Sequence, residues 1–174
     1  VLRRSSKLDV MLESVLDEIL DIFDCDRAWL LHPCDPDAAS WGVPMERTRE
    51  QWPGVFTLGV RIPTDEGAAA VFGEALSTEE ALPFDATTER SVPEEVGQAF
   101  SVRAQMSIAI RPHNGPAWLL GIHHCGRDHV YSADEQRIFQ GLARRMADSL
   151  DTLLLLRDLQ QAERQLAQLQ RTEA

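Results

Sequence analysis

His123-His124-Cys125 is the run of residues with the most chemical potential. Two imidazoles beside a thiolate could ligate zinc or haem iron. His32 and Cys34 invite completion of such a set, and Cys25 with Cys125 could form a redox pair. Residues in a strand alternate faces, so His123 and His124 cannot share one pocket without a bulge. The plainer expectation is one histidine inward and one partly exposed, with buried thiols that behave as small hydrophobes. Trp29, Trp41, Trp52 and Trp118 could wall an aromatic pocket for a flat ligand. Trp52, followed by Pro53-Gly54 in a loop, is the candidate lid. Trp118, opening an apolar run, is expected in the core. Most acidic residues fall at helix starts or on solvated helix faces. Ser5, Ser6, Ser101 and Ser107 lack a Gly-x-Ser-x-Gly setting, and there is no Walker loop or His-Glu-x-x-His helix. No catalytic constellation emerges, so an enzyme is not expected.

The elements that must position these residues follow from a chain of 174 residues, 44% hydrophobic and 26% charged. That is one domain, or one domain with an appendage, large enough for a real core. The net charge of −11 argues against nucleic acid and against an anionic membrane surface. The longest aliphatic run is Leu153 to Leu156, so no membrane span is expected. Val1-Leu2-Arg3-Arg4 lacks the apolar stretch of a signal peptide. Three scattered cysteines make no disulfide framework, which fits a reducing, cytoplasmic setting. The missing initiator Met suggests a piece of a longer chain.

Residues 7–23 place Leu8, Met11/Leu12, Val15, Ile19 and Ile22/Phe23 at helical steps, predicting an amphipathic helix. Residues 27–33 read as a strand buried on both faces. Trp41 to Met45 read as its return strand, with Pro44 confining it to an edge. Residues 46–58 read as loop. Thr64 is placed to cap a helix over 65–76, and Ser91 with Glu94 matches a capping box for a short helix over 92–100. The stretch 77–90 reads as irregular. AQMSIAI and AWLLGIHHC, joined by His113-Asn114-Gly115, form the clearest hairpin. Ser132 with Glu135 is a second capping box, opening a helix that runs to about residue 171, roughly 58 Å at 1.5 Å per residue. Its first half, through Ile138, Leu142, Met146, Leu150 and Leu153, is expected on the domain. Its second half carries Leu155, Leu159, Ala162, Leu166 and Leu169 at four-three-four-three spacing, a coiled-coil seam. Antiparallel strand pairs rather than strand-helix alternation make the class α+β: one antiparallel sheet, the terminal helices on one face, the middle segment over the other. The division is 1–152 for the domain and 153–174 for a coiled-coil signalling helix.

Over about residues 8–150 the sequence resembles a GAF domain, the small-molecule sensor module of bacterial signalling proteins. WLLGIHHC, then Tyr131-Ser132-Ala133-Asp134-Glu135, then the long helix is similar to the ending of phytochrome-like GAF domains. In those, a tryptophan opens the last strand, a histidine follows six residues later and a capped helix starts soon after; here these are Trp118, His124 and Ser132. AQMSIAI looks like their penultimate strand, with Ser107 and Ala109 where small residues face the chromophore. LDEILDIFDCDRAWLL is similar to their first helix and strand. The resemblance implies that His124, Ser107 and Ala109 line a ligand pocket, to which the reading of the tryptophans adds Trp52 and Trp29. It also implies antiparallel pairing of the first and last strands. His32 would then lie roughly 15–20 Å from His123 to Cys125, with only Cys25 near them. Bilin-binding relatives attach the chromophore to a cysteine, commonly before the penultimate strand. Residues 78–105 contain none, so a covalent bilin is not expected, and neither haem nor a metal is singled out. The Asn-Lys-Phe-Asp-Glu pattern of cyclic-nucleotide-binding GAF domains is not visible.

The expected function is sensory or regulatory, in a cytoplasmic signalling protein of the sensor histidine kinase type. A small-molecule or domain signal would pass through a homodimeric C-terminal helix to an output domain. The alternatives are a degenerate GAF domain acting as a dimerisation spacer, or the GAF part of a diguanylate cyclase.

Overall fold

The computed structural model describes residues 7–173, apart from the side chains of Leu8, Thr57 and Leu58. Leu8, expected on the first apolar stripe, and the Ser5-Ser6 pair lie outside what is described. The chain opens with helix α1 (Lys7–Phe23), whose buried stripe is Leu12, Leu16, Ile19 and Phe23. Four-three-four spacing puts these residues on one face, and Ile22 turns outward. Asp24, at φ 45°, takes the left-handed conformation that ends a helix, and the Cys25 N–H reaches back to the Leu20 carbonyl.

Strands β1 (Arg27–His32) and β2 (Ser40–Thr48) follow as a hairpin. Pro44 sits exposed within β2, which pairs outward only over Ser40 and Trp41 with β3 (Ile62–Pro63). Its missing N–H therefore breaks no ladder bond on that side. The expected loop over 46–58 is corrected: β2 continues to Thr48, and a one-turn helix α2 spans Val55–Leu58. Helix α3 (Glu66–Leu76) is capped by Asp65, whose side chain accepts the Ala68 N–H at 2.7 Å; Thr64 is not the cap. Within the stretch expected to be irregular, β4 (Leu82–Phe84) pairs with the next strand. Helix α4 (Glu94–Ala99) starts on Pro93 without a side-chain cap, so the Ser91–Glu94 capping box does not form.

Strands β5 (Ala104–Ile110) and β6 (Trp118–His124) complete a six-stranded antiparallel sheet in the order β3-β2-β1-β6-β5-β4. The 40-residue helix α5 (Ala133–Thr172) opens on the expected box, with Ser132 accepting the Glu135 N–H and Glu135 accepting the Ser132 N–H. Its buried stripe is Phe139, Ala143, Met146 and Leu150. Ile138, expected inward, is exposed, because that stripe lies one position round the helix. The architecture is thus the α+β one expected. Helices α1 and α5 cover one sheet face over a core of Leu30, Met106, Leu120 and Ile122. The segment carrying α3 covers the other face over Trp29, Leu31, Phe72 and Leu119. Trp118 is partly buried at the edge of the first core, its ring 4.5 Å from that of His32.

Candidate functional site

Odd-numbered residues of β1, β5 and β6 point away from the terminal helices, and register arranges them in rows. Arg27 pairs with His123, and His123 with Gln105; Trp29 pairs with Gly121, and Gly121 with Ser107; Leu31 pairs with Leu119, and Leu119 with Ala109. On the other side of β1, Glu46 extends the Trp29 row. Over these rows lies a cavity of about 70 Å³. Its sheet wall is Arg27, Trp29, Leu31, Gln105, Leu119 and His123, with Trp41, Val43 and Glu46 from β2. Phe72 of α3, Val96 of α4 and Phe100 close it from above.

Arg27 is 2% exposed and forms no ion pair among the described residues. Loop carbonyls hold it instead. Its Nε donates to the Trp52 carbonyl at 3.2 Å, and its Nη2 donates to those of Pro53 at 3.2 Å and Phe100 at 3.0 Å. Its Nη1 meets His123 Nδ1 at 2.8 Å. Burial, and then the Arg27 charge, hold His123 well below the usual histidine range, so the ring is neutral at pH 7. Its Nε2 lies 2.9 Å from Gln105 Oε1. Glu46 accepts the Gly54 N–H at 3.1 Å, and burial raises its carboxyl against the lowering effect of Arg27.

Above Gly121 the Trp29 indole fills the space a side chain would need; a Cβ there would stand 2.0 Å from a ring carbon. Ser107 is fully buried in the same row, and its hydroxyl finds no partner among the described residues.

Of the residues expected to line a pocket, Trp29 is on the cavity wall. Ser107 and Ala109 face the same side but lie within the packing rather than on the wall. Trp52 lies half-buried against Gly126 and supplies its carbonyl to Arg27 rather than a lid to the cavity. The placement of His124 is corrected. It points to the helix face, where its Nδ1 meets the Tyr131 hydroxyl at 2.9 Å and its ring stacks on His129 at 4.1 Å. The strand alternation that brings His123 in turns His124 out. Sequence alone leaves open which of His123 and His124 faces the cavity, and it does not single out Arg27, Gln105 or Glu46.

Cys25, Cys34 and Cys125 are free and buried, and burial pushes their thiols up to about 12, 12 and 11. Among the described residues, no cluster of three or more His, Cys, Asp or Glu side chains could hold a metal ion. None of the described helices is long and apolar enough to cross a membrane.

Comparison with known proteins decides the family, because the GAF domain model matches residues 7–150. The chain belongs to the GAF domain family. Several solved GAF domains share its fold. The phycoerythrobilin-bound GAF domain of a cyanobacterial phytochrome gives a TM-score of 0.71 at 19% identity, covering 90% of this chain and 92% of that one. A GAF domain of Synechocystis in its photoproduct state gives 0.70 at 19% identity, covering 88% and 99%. The blue-light-absorbing form of the Thermosynechococcus elongatus PixJ GAF domain gives 0.68 at 16% identity, covering 93% and 96%. A search of curated proteins finds no match. Identities this low establish a shared fold. The cavity of this GAF domain lies between its sheet and the α3–α4 segment, with a buried arginine in its wall.

Proposed function

We propose that this GAF domain is a regulatory module that reads a small-molecule or domain signal and reports it through α5, paired in parallel with a second copy of the chain. One observation carries the reading. The first half of α5 is anchored by a buried stripe, while Leu155, Leu159, Leu166 and Leu169 are more than half exposed on the second half, at coiled-coil spacing. Ala162 completes that seam and is exposed as well. A heptad seam is self-complementary, so a second α5 is its natural partner. Val10 and Ile22 of α1 and Ile138 of α5 are further exposed apolar residues for a contact between terminal helices.

Signalling by this route needs two helix arrangements separated by a few kcal/mol, with the signal favouring one. The role is regulatory rather than catalytic. The output we assign is a histidine kinase, which a His-containing dimerisation helix after residue 174 would support.

Two similar solved GAF domains, both of cyanobacterial phytochromes, hold bilins, but the cavity here does not fit one. About 70 Å³ is far below the roughly 300–1,000 Å³ of a pocket for a drug-sized molecule, and Trp29 occupies the ground above Gly121. The filled indole position also favours a second reading, a dimerising spacer that binds nothing.

The test is sedimentation of Leu159→Glu with Leu166→Glu. We expect wild-type dimers and a monomeric variant with unchanged core circular dichroism. A variant that dimerises as before overturns the helix-pairing role.

A further inference from the structure

The cavity wall carries more hydrogen-bond donors than it has acceptors for. Arg27 has five N–H groups, and four are used by three carbonyls and His123. A neutral imidazole has one acceptor nitrogen. Arginine can only donate, so the 2.8 Å contact requires Nδ1 to accept, and Nε2–H then donates to Gln105. The Trp29 Nε1–H, 3.2 Å from that same Nε2, faces another N–H. The opposite tautomer satisfies Trp29 and strands Arg27. Either way one buried donor lacks an acceptor. Trp41, 6% exposed and also on the wall, has an Nε1–H with no partner among the described residues. Glu46, the carboxylate on the wall, is committed to the backbone N–H groups of Gly54 and Phe56.

A buried donor without an acceptor is destabilising, because it has lost its water and gained nothing in return. Water answers the deficit poorly, since each molecule brings two donors of its own. A carboxylate brings only acceptors, about four lone-pair positions. The rest of the wall is apolar, including Val43, Val71, Phe72 and Leu119. The space is about half of the roughly 150 Å³ that takes benzene in an engineered apolar cavity. We propose that this cavity binds a short-chain monocarboxylate, its head on the indole N–H groups of Trp29 and Trp41 and the spare N–H of Arg27, its alkyl tail among the aliphatic and aromatic residues. This deepens the sensor reading and rests on it.

Calorimetric titration of the whole chain with acetate, propionate and butyrate, their amides, and nitrate tests the inference. Propionate or butyrate is expected to bind and raise Tm. The matching amide is expected to bind at least ~10-fold more weakly, having lost the charge-assisted bonds. Nitrate as tight as the best carboxylate would overturn the role of the tail. Trp41→Phe, which removes one N–H, should weaken propionate severalfold while the chain stays folded. Glu46→Gln, which removes the competing negative charge, should tighten it. These two variants avoid Arg27, whose loss frees three loop carbonyls. Failure of every carboxylate to bind or to shift Tm overturns the inference. Because sedimentation reads helix pairing separately, a dimer that binds no carboxylate leaves the spacer role standing, and a monomer that binds propionate leaves the cavity standing.

Discussion

The two faces of one sheet are built on opposite terms. Leu30, Met106, Leu120 and Ile122 meet α1 and α5 in an apolar layer, and each is fully buried. One residue along each strand, the other face holds a buried guanidinium, a neutral histidine, a glutamine and a carboxyl around a small cavity. The first layer can be packed to near-crystalline density because nothing in it needs a directional partner. In the second, every added polar group must find its complement, and the indoles and Arg27 do not all succeed. Apolar packing dominates the helix side, where the buried His124 Nε2 lacks a partner among the described residues, while on the cavity side the Trp41 Nε1–H and the Ser107 hydroxyl lack one.

Neighbouring residues of β6 can break this contrast. Gly121→Val is expected to be the most damaging, losing about 3 kcal/mol or more, since the new side chain must expel the Trp29 indole. Urea unfolding would measure the loss, and red-shifted tryptophan emission would report the expulsion. Leu120→Ala, one step along and on the other face, should cost about 3 kcal/mol by leaving a hole, with tryptophan emission little changed.

Acid gives a gentler probe. His123 is held neutral in the folded chain, whereas the unfolded chain takes up its proton below about pH 6.5. Its contribution is therefore full above pH 6.5 and is lost as pH falls below it. His124 and His32 are lowered too and act in the same direction. His123→Gln should flatten part of that decline in urea-midpoint measurements against pH.

The smallest effect lies at the tip of the β5–β6 hairpin. His113 meets Asp151 of α5 at 2.6 Å, and that contact raises its pKa. Its sign is opposite: the stabilisation is present below about pH 6.5 and is lost as pH rises through the folded value. Asp151→Asn should return the His113 titration, followed by NMR, toward 6.5, with little change in stability at this exposed position.

Periodicity made most of this architecture legible before the structure. The helical steps of residues 7–23, the AQMSIAI and AWLLGIHHC strands and the Ser132–Glu135 box each specify an element through neighbours in sequence. What escaped was non-local. Strands β3 and β4, two and three residues long, exist because a neighbouring strand offers them partners. Ser91 and Glu94 have the spacing of a cap, but Pro93 takes the cap position. Nothing near Arg27 in sequence tells what meets its N–H groups; carbonyls from residues 52, 53 and 100 do. The choice between His123 and His124 required strand parity. A signal for it was present: a glycine inside an apolar strand marks close approach by a large neighbour, and Gly121 shares its face with His123.

The two histidines share a single peptide plane. His123 looks onto the cavity, while His124 touches Tyr131, whose successor Ser132 begins the long helix. Strand β6 is clamped between β1 and β5, so no slack loop separates the two sides. A shift of the strand backbone at this point would therefore move both imidazoles, one on each side of the sheet.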